Sequence, residues 1–183
     1  MDNAASSYRR FLGGDESAFD EIMKELFDSL VFFIDRYVHD TAAAEDIAID
    51  AFSDLLVHRS RYNFKVTLKT YLFMIGRSRA LNYLKHHHKF EIADLSEAEH
   101  VLSEDASAEE GLLAKERERS VHLALAKLPA EMREAMQLIY FDELSYEETA
   151  KVMKKNKKQI DNLVYRAKKE LRGILGEEGA NLL

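Results

Sequence analysis

Residues 144–172 read LSYEETAKVMKKNKKQIDNLVYRAKKELR, and their pattern predicts two helices separated by a short polar break. The run Ser145-Tyr146-Glu147-Glu148 has the serine and glutamate of a capping box, which predicts that a helix begins at Tyr146. Asn156, three residues before Gln159, predicts a second helix start after the break. A short helix, a three-residue break and a longer helix make a helix-turn-helix.

The second of these helices has an apolar side and a basic side. The apolar residues recur at helical spacing and are predicted to face the core: Ile160, Leu163, Val164, Ala167, Leu171 and Ile174. The opposite side suits a DNA major groove, where Lys and Arg neutralise phosphates and Gln, Asn and Arg pair with base edges. Its candidate contacts are Lys157, Lys158, Gln159, Asn162, Arg166 and Lys169. From the spacing alone, an ordinary helical hairpin with a basic outer face is the alternative.

The composition of the whole chain is that of a helical protein. Its 183 residues include one proline and seven glycines, and 46% of them are hydrophobic. The absence of cysteine excludes a disulfide framework, a thiolate metal site and a cysteine nucleophile. No apolar run approaches the ~18 residues that span a bilayer, and residues 1–11 lack the apolar core of a signal peptide. We therefore expect an all-α, cytoplasmic protein without membrane insertion.

Charge is sorted into alternating blocks along the chain. Residues 15–54 hold 12 acidic and 2 basic side chains, whereas residues 55–89 hold 8 basic and no acidic ones. Residues 91–118 hold 10 acidic and 2 basic side chains, and residues 151–172 hold 9 basic and 2 acidic ones. The two basic blocks are candidate surfaces for a polyanion despite the net charge of −7, with solvated helix faces as the alternative.

The blocks and the apolar periodicity together predict two small helical domains, residues 1–90 and 112–183, joined by a flexible acidic linker over residues 91–111. Three helices are expected in the first domain, over about 17–38, over about 41–58 and over about 66–89. The second of them begins after Asp40 or Thr41, either of which can cap it. Four are expected in the second, over about 112–127, 130–141, 146–153 and 157–175.

The second helix of the first domain has an unusual outer side. Its inward side is apolar and consists of Ala44, Ile47, Ala48, Ala51, Phe52 and Leu55. The outer side places Asp46, Asp50 and Asp54 four residues apart, flanked by Ile49 and Val57. Like charges repel at that spacing, and two apolar side chains would be left in water. The pattern therefore favours a protein-binding face over a solvated one.

Aromatic and basic residues alternate in the third helix and in the loop before it. Aromatic rings stack on unpaired bases, at about 1–3 kcal/mol each, while cations bind the phosphate backbone. The pattern therefore predicts a surface for melted or single-stranded DNA. The candidate contacts are Arg61, Tyr62, Phe64, Lys69, Tyr71, Arg77, Arg79 and Lys85. Some aromatic residues are expected to belong to the core instead, Phe73 above all.

The run His86-His87-His88 is the one feature that suggests a metal. Adjacent residues on a helix point in different directions, so three histidines in a row do not converge on one ion. The sequence also lacks a glycine-rich phosphate loop, a nucleophile elbow and paired catalytic carboxylates. We therefore expect no metal, no cofactor and no catalytic residue.

These parts, in this order, resemble an extracytoplasmic-function sigma factor of bacterial RNA polymerase. Residues 44–52, AEDIAIDAF, resemble the family segment that grips the largest polymerase subunit, and residues 64–88 resemble the segment that melts and reads the promoter element nearest the start site. Residues 128–129, 144–150 and 164–172 resemble the module that reads the upstream element. The resemblance implies a non-enzymatic monomer that binds core RNA polymerase and promoter DNA, and it names an anti-sigma factor as a candidate partner. The polymerase contacts that it implies are Asp46, Ile49, Asp50, Ser53 and Asp54.

The chain departs from the family pattern at several positions. Ile49 stands where the family usually has a polar residue, Tyr71 replaces the customary tryptophan and Ser78 a customary asparagine. Lys154 stands in the helix-turn-helix break where the family has glycine, so an unusual backbone geometry or a different turn is expected there. Two other classes stay open: a stand-alone helix-turn-helix regulator, which would be a dimer on a palindromic site, and a histidine-dependent metal hydrolase.

Overall fold

The computed structural model describes residues 3–91, 121 and 123–179, and every regular element within these ranges is an α-helix. The described residues form two compact units, on either side of the boundary between residues 100 and 101. The all-α prediction is confirmed. The predicted linker lies outside the described residues except for Glu91, as does most of the helix predicted over 112–127, of which residues 123–126 are helical.

The first unit contains four helices, of which three were predicted. These are α1 (Asn3–Leu12), α2 (Ser17–Val38), α3 (Thr41–Val57) and α4 (Leu68–Glu91). The sequence prediction is confirmed at both ends of α2 and lies within two residues of the ends of α3 and α4. Helix α1 was not predicted, although its residues Tyr8 and Phe11 are buried.

A tight turn connects α2 to α3. His39 has a φ of 53°, which reverses the chain, and Asp40 then accepts a hydrogen bond from the backbone N–H of Ala43 at 3.1 Å. This bond satisfies one of the N–H groups that have no partner inside the helix. Of the two predicted capping residues, the structure selects Asp40.

The core of the first unit lies where α4 packs against α2. The rings of Phe33 and Phe73 stack with centroids 4.5 Å apart, and both are fully buried, which confirms the prediction for Phe73. One turn further along α4, Gly76 lets the helices approach closely. A Cβ atom at this position would lie 3.0 Å from Leu30 Cδ1 and 3.2 Å from Ile34 Cδ1.

The loop between α3 and α4 is anchored by two tyrosine hydroxyls. Tyr8 of α1 donates hydrogen bonds to the carbonyl oxygens of Leu55, at 3.0 Å, and Arg59, at 3.1 Å. Burial raises the pKa of Tyr8 to about 12, which keeps its phenol a donor. At the other end of the loop, Tyr62 donates to the carbonyl oxygen of Val66 at 2.7 Å.

The second unit contains the helix-turn-helix. After the helical residues 123–126, the described part of this unit contains α5 (Ala130–Tyr140), α6 (Tyr146–Val152) and α7 (Lys157–Gly179). The predicted capping box at the start of α6 is confirmed, since Ser145 Oγ accepts from the N–H of Glu148 and the Glu148 carboxylate accepts from the N–H of Ser145. The start predicted at Asn156 is confirmed in the same way, by reciprocal bonds of 2.8 and 2.9 Å with Gln159.

The break between α6 and α7 has the first of the two geometries that the family resemblance left open, an unusual backbone conformation at Lys154. Lys154 has a φ of 54°, in the left-handed region that favours glycine. The apolar stripe of α7 is buried at Ile160, Val164, Ala167 and Leu171. It ends there, because Ile174 is 39% exposed, so the prediction of a core position is wrong for Ile174. In the part of the chain that the structure describes, no helix is long and apolar enough to cross a membrane.

Candidate protein-binding and nucleic-acid interfaces

Helix α3 exposes a row of acidic and apolar side chains, which we name the α3 face: Asp46, Ile49, Asp50, Ser53 and Val57. Ile49 is 50% exposed and Val57 is 71% exposed, so the structure leaves both apolar groups in water. All six residues predicted on the inward side of the helix are buried. Four of the five predicted polymerase contacts therefore lie together on one open face.

The fifth, Asp54, lies on the flank of α3 that is turned toward α4. Arg79 Nη2 of α4 donates to Asp54 Oδ2 at 2.6 Å, and Arg79 Nη1 donates to Asp50 Oδ2 at 3.1 Å. On the other carboxylate oxygen of Asp54, Arg61 Nη1 lies at 3.8 Å and His58 Nδ1 at 3.2 Å. The hydrogen bond from Arg79 lowers the pKa of Asp54 against the opposing effect of burial. One predicted DNA contact is thus bound to two predicted polymerase contacts.

The predicted aromatic contacts in and near the loop before α4 differ in how far they are buried. Tyr62 is only 3% exposed, and its ring packs on Tyr8, Phe64 and Tyr71 with centroids 4.7 to 5.5 Å away. In this conformation its ring is unavailable for stacking on a base, contrary to the expectation, because α1 covers it. Phe64 is half-buried and has a φ of 60°, an uncommon backbone conformation for a phenylalanine.

Two arginines that were not predicted as contacts lie against this aromatic cluster. The guanidinium of Arg9 lies 4.6 Å from the ring centroid of Phe64, and that of Arg59 lies 4.3 Å from Phe11. Both arginines are exposed. The aromatic residues within 8–11 could have indicated that residues 1–12 pack against the loop, but the sequence analysis did not predict α1.

The predicted contacts on α4 do not share one face. Lys85 is exposed, Tyr71 and Arg77 are half-buried, and Lys69 Nζ lies 5.5 Å from the ring centroid of Phe73. Burial raises the pKa of Tyr71. Helical spacing places Tyr71, Ser78 and Lys85 on one side of α4, and Arg79 points from the flank toward α3. Near the end of the helix, His87 stacks on Tyr83 with centroids 4.0 Å apart.

All six residues predicted to enter the major groove are exposed on α7: Lys157, Lys158, Gln159, Asn162, Arg166 and Lys169. Two of them make contacts inside the unit. Lys157 Nζ donates to Glu147 Oε1 of α6 at 2.5 Å, and this bond lowers the pKa of Glu147. The side-chain oxygen of Gln159 caps its own helix. Lys158, Arg166 and Lys169 make no ion pair with any residue that the structure describes.

The break before α7 adds a cation that was not among the predicted contacts. Lys155 Nζ donates to Glu131 Oε1 of α5 at 2.8 Å, at the edge of a shallow groove that Asn162 and Arg166 also line.

Over the described ranges, no group of three His, Asp or Glu side chains has the arrangement of a metal site.

Comparison with known proteins adds a second line of evidence. Family models for sigma-70 region 2 and sigma-70 region 4 match residues 22–90 and 118–171. The RNA polymerase sigma-H factor of Pseudomonas aeruginosa is 30% identical over 168 residues, which cover 86% of each protein. The ECF RNA polymerase sigma factor SigM of Bacillus subtilis is 24% identical over 155 residues, covering 85% of this chain and 93% of SigM. The chain belongs to the extracytoplasmic-function sigma factors.

Solved structures agree with this sigma factor in fold. RpoE of Bartonella quintana, solved in complex with the anti-sigma factor NepR, superposes with a TM-score of 0.68 at 21% identity, covering 87% of this chain and 97% of that one. CnrH, solved with the cytosolic domain of CnrY, gives a TM-score of 0.60 at 19% identity, covering 94% of both chains. The sigma factor directs promoter-specific transcription with core RNA polymerase, and its family consists of initiation factors rather than enzymes. The stand-alone regulator and the metal hydrolase are therefore set aside.

Proposed function

We propose that this sigma factor divides promoter-specific initiation among three surfaces. The α3 face binds core polymerase, the loop before α4 together with α4 binds unpaired promoter bases, and α7 binds the upstream element in the major groove. The α3 face carries the proposal, because it is the surface that a stand-alone DNA-binding protein would not need.

The chemistry of the α3 face fits a helical partner surface with basic and apolar residues. Ile49 and Val57 lose their contact with water when such a partner covers them, at about 25 cal/mol per Å² of apolar area. Asp46 and Asp50 then select cationic partners and exclude acidic ones. Ile49 replaces a polar contact of the family with an apolar one, so we expect this sigma factor to rely more on apolar burial.

The loop and α4 supply stacking and phosphate contacts for a melted strand. Phe64 and Tyr71 are half-buried, while Arg61 and Lys85 are exposed. Stacking on a ring face requires an unpaired base, so this surface suits single-stranded DNA better than duplex.

Helix α7 supplies the duplex contact. Asn162 and Arg166 lie where side chains can reach base edges, and Lys158 and Lys169 lie beside them for phosphates. Because each base contact is worth about 1–3 kcal/mol, two or three of them are enough to distinguish one promoter from another.

Several partner and state predictions belong to the same proposal. We expect a monomer that acts in the cytoplasm with polymerase, carries out no catalysis itself and needs no cofactor. An anti-sigma factor is a further expected partner, since RpoE and CnrH were both solved with a second protein and one of those is named an anti-sigma factor. The acidic linker over 91–111 stays a prediction.

The test is a titration of labelled protein with core RNA polymerase. Asp46→Lys reverses one exposed charge of the α3 face and is expected to weaken binding at least tenfold, because it places a cation against a basic partner surface. Asp28→Lys makes the same change at an exposed position of α2 and serves as the matched control.

Binding by the wild type and by Asp28→Lys, with a large loss in Asp46→Lys, supports the proposal. Equal binding by all three proteins would refute the assignment of the α3 face. No binding by folded wild-type protein would refute the polymerase contact as a whole.

A further inference from the structure

Arg79 stands between two surfaces with opposite charge requirements. It donates to Asp54 at 2.6 Å and to Asp50 at 3.1 Å, and these carboxylates lie one helical turn apart on α3. The side chains of Arg79 and Asp54 are 34% and 28% exposed, whereas that of Asp50 is 65% exposed. The guanidinium is therefore held at the boundary between the α3 face and α4, within reach of solvent.

An arginine bound by two carboxylates is a poor ligand for a phosphate. The two negative charges neutralise the guanidinium and repel a further anion. Conversely, a carboxylate bound by Arg79 must give up that bond, at least in part, before a cation of a protein partner can take its place. Each of the two proposed ligands of this region, a cationic protein surface and a polyanionic strand, thus competes with the internal ion pair, the first for the carboxylates and the second for Arg79.

We propose that Arg79 couples polymerase binding to capture of the melted strand by exchange of ion pairs. In the free protein, Asp50 and Asp54 hold the guanidinium and mask it. When basic side chains of the polymerase bind these carboxylates, Arg79 is released to bind a phosphate of the unpaired promoter strand. This inference rests on the proposed function, and it adds to it an order of events and a residue that imposes the order.

The exposure of the ion pairs between Arg79 and the two aspartates determines how much the masking of Arg79 changes DNA affinity. Partly exposed ion pairs contribute little, so the masking is expected to change affinity about fivefold rather than a hundredfold. Coupling of this kind is reciprocal, since a strand that binds Arg79 also frees the carboxylates for the polymerase by the same factor. A purely structural role, in which Arg79 only ties α3 to α4, predicts no change in affinity for either partner.

The test uses the free full-length chain and a labelled single-stranded oligonucleotide, with binding followed by fluorescence anisotropy at fixed salt. Asp54→Asn removes the shorter of the two ion pairs and is expected to raise DNA affinity about fivefold. Glu45→Gln makes the same charge change at an exposed position of α3 that no described cation contacts, so it measures the general effect of removing one negative charge. The double variant Asp54→Asn, Arg79→Gln is expected to lose the gain.

Two results would overturn the inference: equal affinities of Asp54→Asn and Glu45→Gln, or a gain that persists in the double variant. Circular dichroism of each variant excludes unfolding as the cause of either result. Because polymerase takes no part in this arm, its outcome does not depend on the proposed polymerase contact of the α3 face.

The second arm measures binding to core polymerase. Arg79→Gln is expected to strengthen it about fivefold, because it removes a competitor for Asp50 and Asp54, whereas Lys65→Gln, an exposed cation of the same basic block, is expected to leave it unchanged. Binding by Arg79→Gln that is equal to or weaker than binding by the control would overturn the exchange. Absence of binding by the wild type would instead overturn the proposed function.

Discussion

The two candidate DNA-binding regions present their cations in different ways. On α4, Arg79 is held by two carboxylates of the neighbouring helix, and its side chain is 34% exposed. On α7, Lys158, Arg166 and Lys169 project into solvent and pair with no residue in the described ranges. This difference in the pairing of the cations matches the form of DNA that we propose for each region. A duplex offers phosphates at all times, whereas a melted strand exists only after polymerase has arrived.

Arg166→Ala is expected to weaken promoter binding more than the loss of any other single cation on α4 or α7. A guanidinium that reaches base edges is worth about 1–3 kcal/mol, so promoter binding by the assembled complex should fall roughly 5- to 150-fold. Arg79→Ala should cost less, because its guanidinium must first leave two carboxylates. The measurement is the equilibrium affinity for a labelled promoter duplex at fixed salt concentration.

The matched control for Arg166→Ala is Arg172→Ala, which removes an exposed cation near the end of the same helix. If the two variants lost the same small amount, Arg166 would contribute only general phosphate attraction. The contrast between α4 and α7 would disappear if Arg79→Ala were the more damaging change.

Lys154→Gly tests whether the left-handed backbone conformation of Lys154 lowers the stability of the second unit. A φ of 54° is unfavourable for lysine and free for glycine. The substitution relieves about 1–2 kcal/mol of left-handed strain and adds an entropy cost for glycine of about 0.5–1 kcal/mol, so the free energy of unfolding of this unit is expected to rise by about 0.5–1 kcal/mol. Lys151→Gly, inside α6, should lower it by about 1 kcal/mol instead. Denaturant unfolding of the three proteins gives the comparison, and a loss of stability in both variants would show that the turn is not strained.

The smallest expected effect concerns pH. The pKa of Asp54 is lowered in the folded protein, so the stability due to its ion pairs is present above the ordinary aspartate pKa of about 3.9 and is lost as pH falls through the lower folded value. Asp54→Asn should therefore flatten the decline in stability below about pH 4. Asp28→Asn, which removes an exposed carboxylate that no described cation contacts, is the matched control. Identical acid profiles of the two variants would contradict the Asp54–Arg79 pair.

Local sequence signals predicted the local structure well. The capping residues Asp40, Ser145 and Asn156 mark helix starts because their side chains bind N–H groups only two or three residues away. At Lys154 the family resemblance left two alternatives, an unusual backbone geometry or a different turn, and the φ of 54° corresponds to the first. Such features depend on a few neighbouring residues, and the sequence displays those directly.

Features that depend on distant residues were not predicted. The acidic spacing on α3 indicated one continuous row, but Asp54 pairs with Arg79, 25 positions away. Tyr62 was expected at the surface because its neighbours are basic, yet α1 buries it from 54 positions away. Both features were missed for one reason, since a pattern within a helix does not state which other helix will cover its flank.

The hydroxyl of Tyr8 has a consequence for synthesis of the chain. Its two acceptors lie 47 and 51 positions downstream. On the ribosome, α1 emerges before its acceptors have been translated, so its buried face waits for roughly fifty more residues. At about 5–20 residues per second, that interval lasts some seconds. Helix α1 therefore docks only after residues 55 and 59 have followed it, and its docking fixes the loop at the same time.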